Sequence, residues 1–297
     1  MKKRKIAVAL GGGGAKGNAH IGVLRVLERE GYQISAIAGT SFGALVAAFY
    51  VIGYSPDEIE EVFSSVDQSR IYELGLHANP SLLGLGRVRK WLDGTLGEKT
   101  FSDARIPCAM TAADLSCNCE AILDSGLLKN AVLASIAVPG IFPPHKIDDH
   151  HLVDGAVLNP VPISVARKLA SKLPVVAVAL TAPLSTTSSY YMPASLSAMI
   201  PRSIARRITR LNFSQALSVF LQSVDLSNRA ITELRLEKEP PDLLIRPAVE
   251  KIAFLDQVIV ADVARLGEEA TEALLPELKK VTRPQGFFNM LINGKRK

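Results

Sequence analysis

Short apolar runs alternate with amphipathic stretches through the first half of the chain, and glycine or proline closes each of them. Ile6 to Leu10 is apolar throughout and is stopped by Gly11 to Gly14, the pattern of a strand buried on both faces. Ala19 to Glu30 repeats Ile21, Leu24, Val26 and Leu27 at helical spacing and stops at Gly31, which is placed as a C′ residue. Gln33 to Ala38 reads as a second strand. The next helix starts near Phe42 and runs to Val51 with apolar residues all round, so it is expected deep in the domain. Ser55-Pro56-Asp57-Glu58 is a capping box with proline at the first helical position, and it opens a helix to about Phe63.

The pattern weakens from Asp67 to Leu96, with a loop at Asn79-Pro80 and a helix near Val88 to Leu92. Ile106 to Ala113 and Glu120 to Leu123 read as strands joined by a turn at Ser116 to Asn118. Leu127 to Ala137 is helical and ends before Pro139, and Pro139 to Pro144 is expected as an extended, rigid loop. Lys146 to Val153 fits a tight hairpin with Asp154-Gly155-Ala156 at its far end. A helix from Pro162 to Ser171, a strand from Val175 to Leu180, a strand from Leu243 to Pro247 and a closing helix from Val260 to Leu275 complete the series. Alternation of buried strands with helices predicts a three-layer α/β/α fold around a mostly parallel sheet. The expected organisation is a catalytic core over 1–182, a helical insertion or lid over 183–242, a closing strand and helix over 243–283, and a basic tail over 284–297.

Composition narrows this picture. With 297 residues, 48% of them hydrophobic, the chain has enough apolar surface for a large core. No run reaches the roughly 18 apolar residues that span a bilayer, and Ile6 to Leu10 is too short for the core of a signal peptide. Three cysteines (Cys108, Cys117, Cys119) give no disulfide framework, and Cys117-x-Cys119 lacks zinc-knuckle spacing, so a reducing, cytoplasmic setting is expected. The formal net charge of +5 gathers at both ends and in Arg202, Arg206, Arg207 and Arg210, which suits anionic lipid headgroups. Aromatic residues make up only 6% and no nucleic-acid module appears, so no nucleic-acid partner is expected. The sequence sets no oligomeric state.

Two glycine turns carry the chemistry. Gly12-x-Gly14-x-x-Gly17 matches a dinucleotide fingerprint, but strand two ends in Ala38-Gly39-Thr40 with no acid to hold a ribose. A phosphate loop also fails, because Lys16 follows Ala15 and Asn18 replaces Ser or Thr. The same row of helix-start N–H groups suits an oxyanion. Gly39-Thr40-Ser41-Phe42-Gly43 flanks a serine with small residues between strand and helix, which projects the hydroxyl from the carboxyl edge of the sheet; the plain alternative is a helix-capping serine. No histidine lies beyond His151, so a Ser-acid-His order is absent, and Asp154 in its sharp turn is the better base. Burial beneath Ile141, Phe142 and Val153 would raise its basicity.

Other residues have plainer explanations. His145, Asp148, Asp149, His150 and His151 fit a charged hairpin tip better than a metal site. His20 fits a packed or capping residue, and Asp114 either a turn or the margin of the site. Arg202 to Asn228 is expected as an amphipathic basic helix or pair of helices; its stretch 202–221 reads equally as a lid, a membrane-surface helix or a scaffold, and Phe287 to Ile292 as an interfacial contact or a tail.

Taken in order, Gly12-Gly13-Gly14-Ala15-Lys16-Gly17, Gly39-Thr40-Ser41-Phe42-Gly43, Ala134 to Pro144 and Asp154-Gly155-Ala156 with Asn159-Pro160-Val161-Pro162 resemble the patatin-like phospholipases, in the bacterial branch close to the neuropathy target esterase catalytic domain. The resemblance implies a Ser-Asp dyad of Ser41 and Asp154, an oxyanion hole at Gly12, Gly13 and Gly14, and a basic loop residue at Lys16, with Gly39, Gly43 and Gly155 as motif glycines. It implies hydrolysis of lipid acyl esters, without cofactor or metal. Lys16 stands where arginine is frequent and Ala156 where glycine is frequent. Lysine keeps the charge without the bidentate fork, and alanine costs little at negative φ. A catalytically silent lipid-surface or regulatory module of the same fold is the alternative.

Overall fold

The structure, a computed structural model, describes residues 4–67, 73–74, 83–185 and 210–283. Strand β1 (Arg4–Leu10) splits its side chains by size: Ile6, Val8 and Leu10 enter one apolar core, while Ala7 and Ala9 enter another. Successive strand residues point to opposite faces, so the apolar run serves two layers at once. β2 (Tyr32–Thr40) repeats the division, with Ile34 and Ile37 on the first face and Ala36 and Ala38 on the second.

The large-residue face is covered by α1 (Ala19–Arg29), α2 (Phe42–Val51), α3 (Pro56–Ser64), α4 (Gly86–Thr95) and α5 (Leu128–Ser135). The alanine face is thinner and packs on α6 (Ile163–Leu169), with Leu236 of α7 (Arg210–Lys238) beside it. α8 (Val260–Ala273) and the short α9 (Leu275–Val281) close the first layer. α1 and α8 cross closely, because a Cβ on Gly22 would lie 1.8 Å from Ala264 O and one on Gly267 1.9 Å from Ala19 O. Arg25 of α1 ties the two helices to α3 through Asp57, Glu60 and Glu268.

The remaining strands are β3 (Glu73–Leu74) and β4 (Leu83–Gly84), which form a small separate ladder, then β5 (Cys108–Asp114), β6 (Cys119–Leu123), β7 (His145–Ile147), β8 (His150–Asp154), β9 (Val175–Val178) and β10 (Leu243–Ile245). The main sheet runs β10-β9-β1-β2-β5 in parallel, then turns antiparallel through β8 and β7. The register around β5 fixes the functional geometry. β6 pairs with Met110 to Asp114 along one edge. The other edge is shared: β2 lies beside Cys108 to Thr111, and β8 beside Ala112 to Asp114. Thr40, at the end of β2, therefore faces Thr111, and Asp154, at the end of β8, faces the next residue, Ala112. Two strands running toward each other stop tip to tip on one edge.

The mostly parallel three-layer reading holds, as does the hairpin that ends at Asp154. Three local expectations are corrected. Pro139 to Pro144 is not extended throughout: Gly140 adopts φ +78, and the N–H groups of Ile141 and Phe142 both donate to Val138 O, which makes a tight turn. The helix expected to end at Asn228 continues to Lys238, held by Arg229 on the carbonyls of Ala182 and Pro183 and by Arg235 on Leu158 O. The part of that stretch at 202–209 and the tail over 284–297 lie outside the described residues, as does Asn79-Pro80. Finally, Cys117 and Cys119 form a disulfide across the β5–β6 turn, where Asn118 takes φ 54 and brings their Cα atoms within 5.4 Å. Counting cysteines excluded a framework but could not exclude one local cross-link.

Candidate active site

Ser41 links β2 to α2 in a backbone conformation that is uncommon outside glycine, at φ 55 and ψ −124. Such conformations cost about 1–3 kcal/mol and persist where the surroundings over-determine them. Here glycines allow the elbow to be that tight: a Cβ on Gly43 would lie 2.3 Å from Leu10 O, and one on Gly39 2.5 Å from Gly43 O. The Ser41 N–H donates to Ser135 Oγ at 2.8 Å, and Ser135 Oγ in turn donates to Thr111 O at 2.7 Å. Thr40 is anchored from the other side by Thr111 Oγ1 and Asn159 O. The serine is thus clamped by β5 and α5. Although Ser41 occupies the N-cap position of α2, its hydroxyl makes no cap bond.

That hydroxyl donates instead to Asp154 Oδ2 at 2.5 Å, joining residues 113 apart in sequence. The other carboxylate oxygen, Oδ1, accepts the N–H of Ala156 at 2.8 Å, which holds the carboxylate plane still. Ala156 is not among the residues with positive φ, so alanine fits here without strain. Gly155 lets this turn lie against β5, since a Cβ there would meet Thr111 O at 2.4 Å. Asp154 is 2% exposed, and burial raises its pKa to about 7 against the lowering effect of its two hydrogen bonds. A carboxylate of ordinary basicity is thereby brought into the range of a working base.

The glycine loop passes over Ser41. A Cβ on Gly12 would touch Ser41 Cβ at 3.2 Å, so the loop and the nucleophile candidate are in contact. The Gly12 N–H, however, donates to Pro160 O at 2.9 Å and is already engaged. Gly13, extended at φ 171, precedes a short 3₁₀ turn over Gly14 to Asn18, and Ala15 N–H donates to Phe254 O. Of the three glycines named from the sequence, Gly12 therefore has its N–H occupied by Pro160.

Ser41 lies at the junction of two cavities. One is apolar, with Phe42, Leu45, Phe63, Val88, Trp91 and Phe142 in its wall; it encloses about 890 Å³ with the solvent at its mouth. Its aromatic wall is braced by the edge-on pair Phe42 and Phe63 and by Trp91 stacked on Phe49. The second, about 1050 Å³ on the same basis, holds Asp154 together with Lys16, Asp225, Arg229, Glu250 and Lys251. Lys16 is half-buried, and its pKa is lowered by that desolvation while Asp225 and Glu250 work the other way. The loop cation therefore sits among carboxylates and belongs to the polar cavity.

The remaining candidates separate from this centre. His20 is buried with Nε2 2.7 Å from Gly11 O, and burial lowers its pKa to about 4, so it is a packed neutral residue that supports the loop. Asp114 serves the β5–β6 turn by accepting Ser116 N–H at 2.8 Å. His145 leaves the expected hairpin tip: it is buried, near Arg89, and its pKa falls to about 4. Ser135 and Thr111 were not singled out by sequence reading. Ser135 stands in one of the quoted motif blocks, yet a serine inside a helix gives no sign of which N–H it will meet.

Comparison with known proteins agrees with this architecture. The family model described as patatin-like phospholipase matches residues 8–167. An NTE family protein of Mycobacterium tuberculosis is 38% identical over 163 residues, covering 54% of this chain and 45% of its own length. Patatin-like phospholipase domain-containing protein 6 of Mus musculus is 29% identical over 175 residues, 56% of this chain and 13% of that protein. The chain thus spans less than half the length of these relatives. Among solved structures, VipD from Legionella pneumophila superposes with a TM-score of 0.56 at 11% identity, covering 93% of this chain and 67% of VipD, a likeness of fold. With its match extending over more than half of its residues, from β1 through α6, the chain belongs to the patatin-like phospholipase family.

Proposed function

We propose that the protein is a serine acyl hydrolase that cleaves carboxylic ester bonds of lipids, with Ser41 as nucleophile and Asp154 as base. The observation that carries this reading is the 2.5 Å hydrogen bond from Ser41 Oγ to Asp154 Oδ2 at the meeting point of an apolar and a polar cavity. The acyl chain lies along Phe42, Phe63 and Trp91, and the polar part of the substrate lies near Lys16 and Arg229.

In the first step Ser41 Oγ attacks the ester carbonyl carbon while Asp154 Oδ2 takes the hydroxyl proton. The carbonyl oxygen becomes an oxyanion that accepts from the N–H groups of Gly13 and Gly14, each such donor being typically worth about 3 kcal/mol in the transition state. Collapse expels the alcohol, which receives the proton from Asp154. Water, deprotonated by the same carboxylate, then attacks the acyl-serine, releases the fatty acid and returns the proton to Ser41. No step calls for a metal or an organic cofactor.

Contact with a lipid surface belongs to the same reading. Val219, Leu226 and Leu234 of α7 are 62%, 58% and 65% exposed. At 3.6 residues per turn they share a sector of about 80°. Val224 and Asn228, which line the polar cavity, lie on roughly the opposite side. An apolar stripe directed to solvent beside the mouth of a lipid site fits interfacial binding.

A fluorophosphonate probe tests the chemistry. Wild-type protein should be labelled at Ser41, and Ser41→Ala and Asp154→Asn should each remain folded with ester hydrolysis near background. Wild-type turnover in either variant would overturn the dyad.

A further inference from the structure

A second group of chemically active side chains lies at the β5–β6 turn, away from the dyad. Asp114 Oδ2 is 2.5 Å from His150 Nδ1 and 3.4 Å from Cys117 Sγ. Donor atoms of Asp114, Cys117 and Cys119 all fall within 4.8 Å of one another, with the carboxylate buried and both cysteines exposed. The side chain of His150 is 60% exposed, and its Nδ1 is held on the Asp114 carboxylate. Three donors of two chemical kinds, two sulfurs and one carboxylate, thus converge at one turn, and the imidazole hydrogen-bonds the carboxylate.

We propose that the reduced form of this turn is a binding site for a thiophilic divalent cation of the zinc class. Cys117 Sγ, Cys119 Sγ and the Asp114 carboxylate would supply three ligands, with His150 holding that carboxylate through its hydrogen bond. Two thiolates with a carboxylate select a borderline-soft ion over magnesium or calcium, and three protein ligands leave the fourth tetrahedral position of zinc to water. The spacing Cys-x-Cys gives only two donors from the sequence; Asp114, which closes β5, adds the third, and the antiparallel pairing of β5 with β8 sets His150, which opens β8, against it.

The disulfide is the competing state. A dithiol reductant delivers two electrons and two protons to the Cys117–Cys119 bond, becoming a disulfide itself and leaving two thiols. Binding of the cation then displaces a proton from each thiol. In the oxidised chain the sulfurs are bonded to each other, and the site lacks its thiolates. The site sits at the far end of β8 from Asp154, so this inference stands independently of the hydrolytic reading.

The test uses the full chain reduced with a phosphine and titrated with Zn²⁺ against a chromophoric chelator, and in parallel with Co²⁺. One ion should bind per reduced chain, the Co²⁺ form should show sulfur-to-metal charge-transfer absorption, and the oxidised chain should bind no ion tightly. Cys117→Ser with Cys119→Ser should abolish that absorption. His150→Ala, an exposed change that leaves the fold intact, should weaken binding about tenfold or more, as should Asp114→Asn. Zn²⁺ binding by reduced wild type no tighter than by the double cysteine variant, or no loss in His150→Ala and Asp114→Asn, would overturn the proposal.

Discussion

At the scale of single residues, the carboxyl group of Asp154 is the most informative. Burial lifts its pKa to about 7, and a carboxyl that must accept a proton works only when ionised. kcat/KM for a neutral ester should therefore climb about tenfold per pH unit below 7 and level off above it. A flat profile between pH 5 and 8 would contradict the assigned base. The same shift has an effect on stability. An aspartate of ordinary pKa near 3.9 in the unfolded chain becomes a weaker acid on folding, so its contribution is largest below that value and is lost as pH rises through about 7. The melting temperature of wild type relative to Asp154→Asn should accordingly fall between pH 5 and 8. Sequence order only set aside a histidine base, because no histidine follows His151; the sharp turn at Asp154-Gly155-Ala156 and the family resemblance pointed to this residue. The Ser135 anchor of Ser41 was invisible, because the bond from Ser41 N–H to Ser135 Oγ spans 94 residues and follows from packing alone.

Among the elements, the glycine loop and α7 carry separable predictions. Gly14 has φ +57, and a Cβ added to it would lie 2.2 Å from Phe254 O, a backbone atom that has little room to move. Gly14→Ala should lower kcat by about a hundredfold by displacing an oxyanion donor. Gly31→Ala is the matched control: its φ is +78 with nothing within 4 Å, so it should cost about 1 kcal/mol of stability and leave kcat unchanged. Equal kcat losses in the two variants would remove the loop from the mechanism. For α7, Leu226→Asp with Leu234→Asp should abolish co-sedimentation with anionic vesicles while hydrolysis of a short soluble ester stays at the wild-type rate. Undiminished sedimentation would show that this stripe does not meet lipid. Helical periodicity predicted an amphipathic segment here, but the pattern alone could not tell which face turns inward. Arg229 and Arg235, on the carbonyls of Ala182, Pro183 and Leu158, decide that.

For the whole molecule, the division between what was legible and what was not follows the range of the interactions. Strands β1, β2 and β9, the helices between them and both glycine turns were readable because apolar periodicity and the steric freedom of glycine act over a few residues. The Pro139 to Pro144 turn was misread because proline favours extended backbone locally, whereas Val138 O collects two N–H groups and folds the segment back. The cysteine pair and the close crossing of α1 with α8 at Gly22 and Gly267 leave no periodic trace. By itself the sequence determined the layered α/β class and the two turns that carry a serine and an aspartate, since each rests on local backbone preference and burial pattern. Only the tertiary structure decided that β2 and β8 end tip to tip on one edge of β5, that Pro160 takes the Gly12 donor, and that Asp114 meets His150 beside two sulfurs. Strand register and backbone pairing link residues far apart along the chain, and no local pattern encodes which distant groups will share an edge.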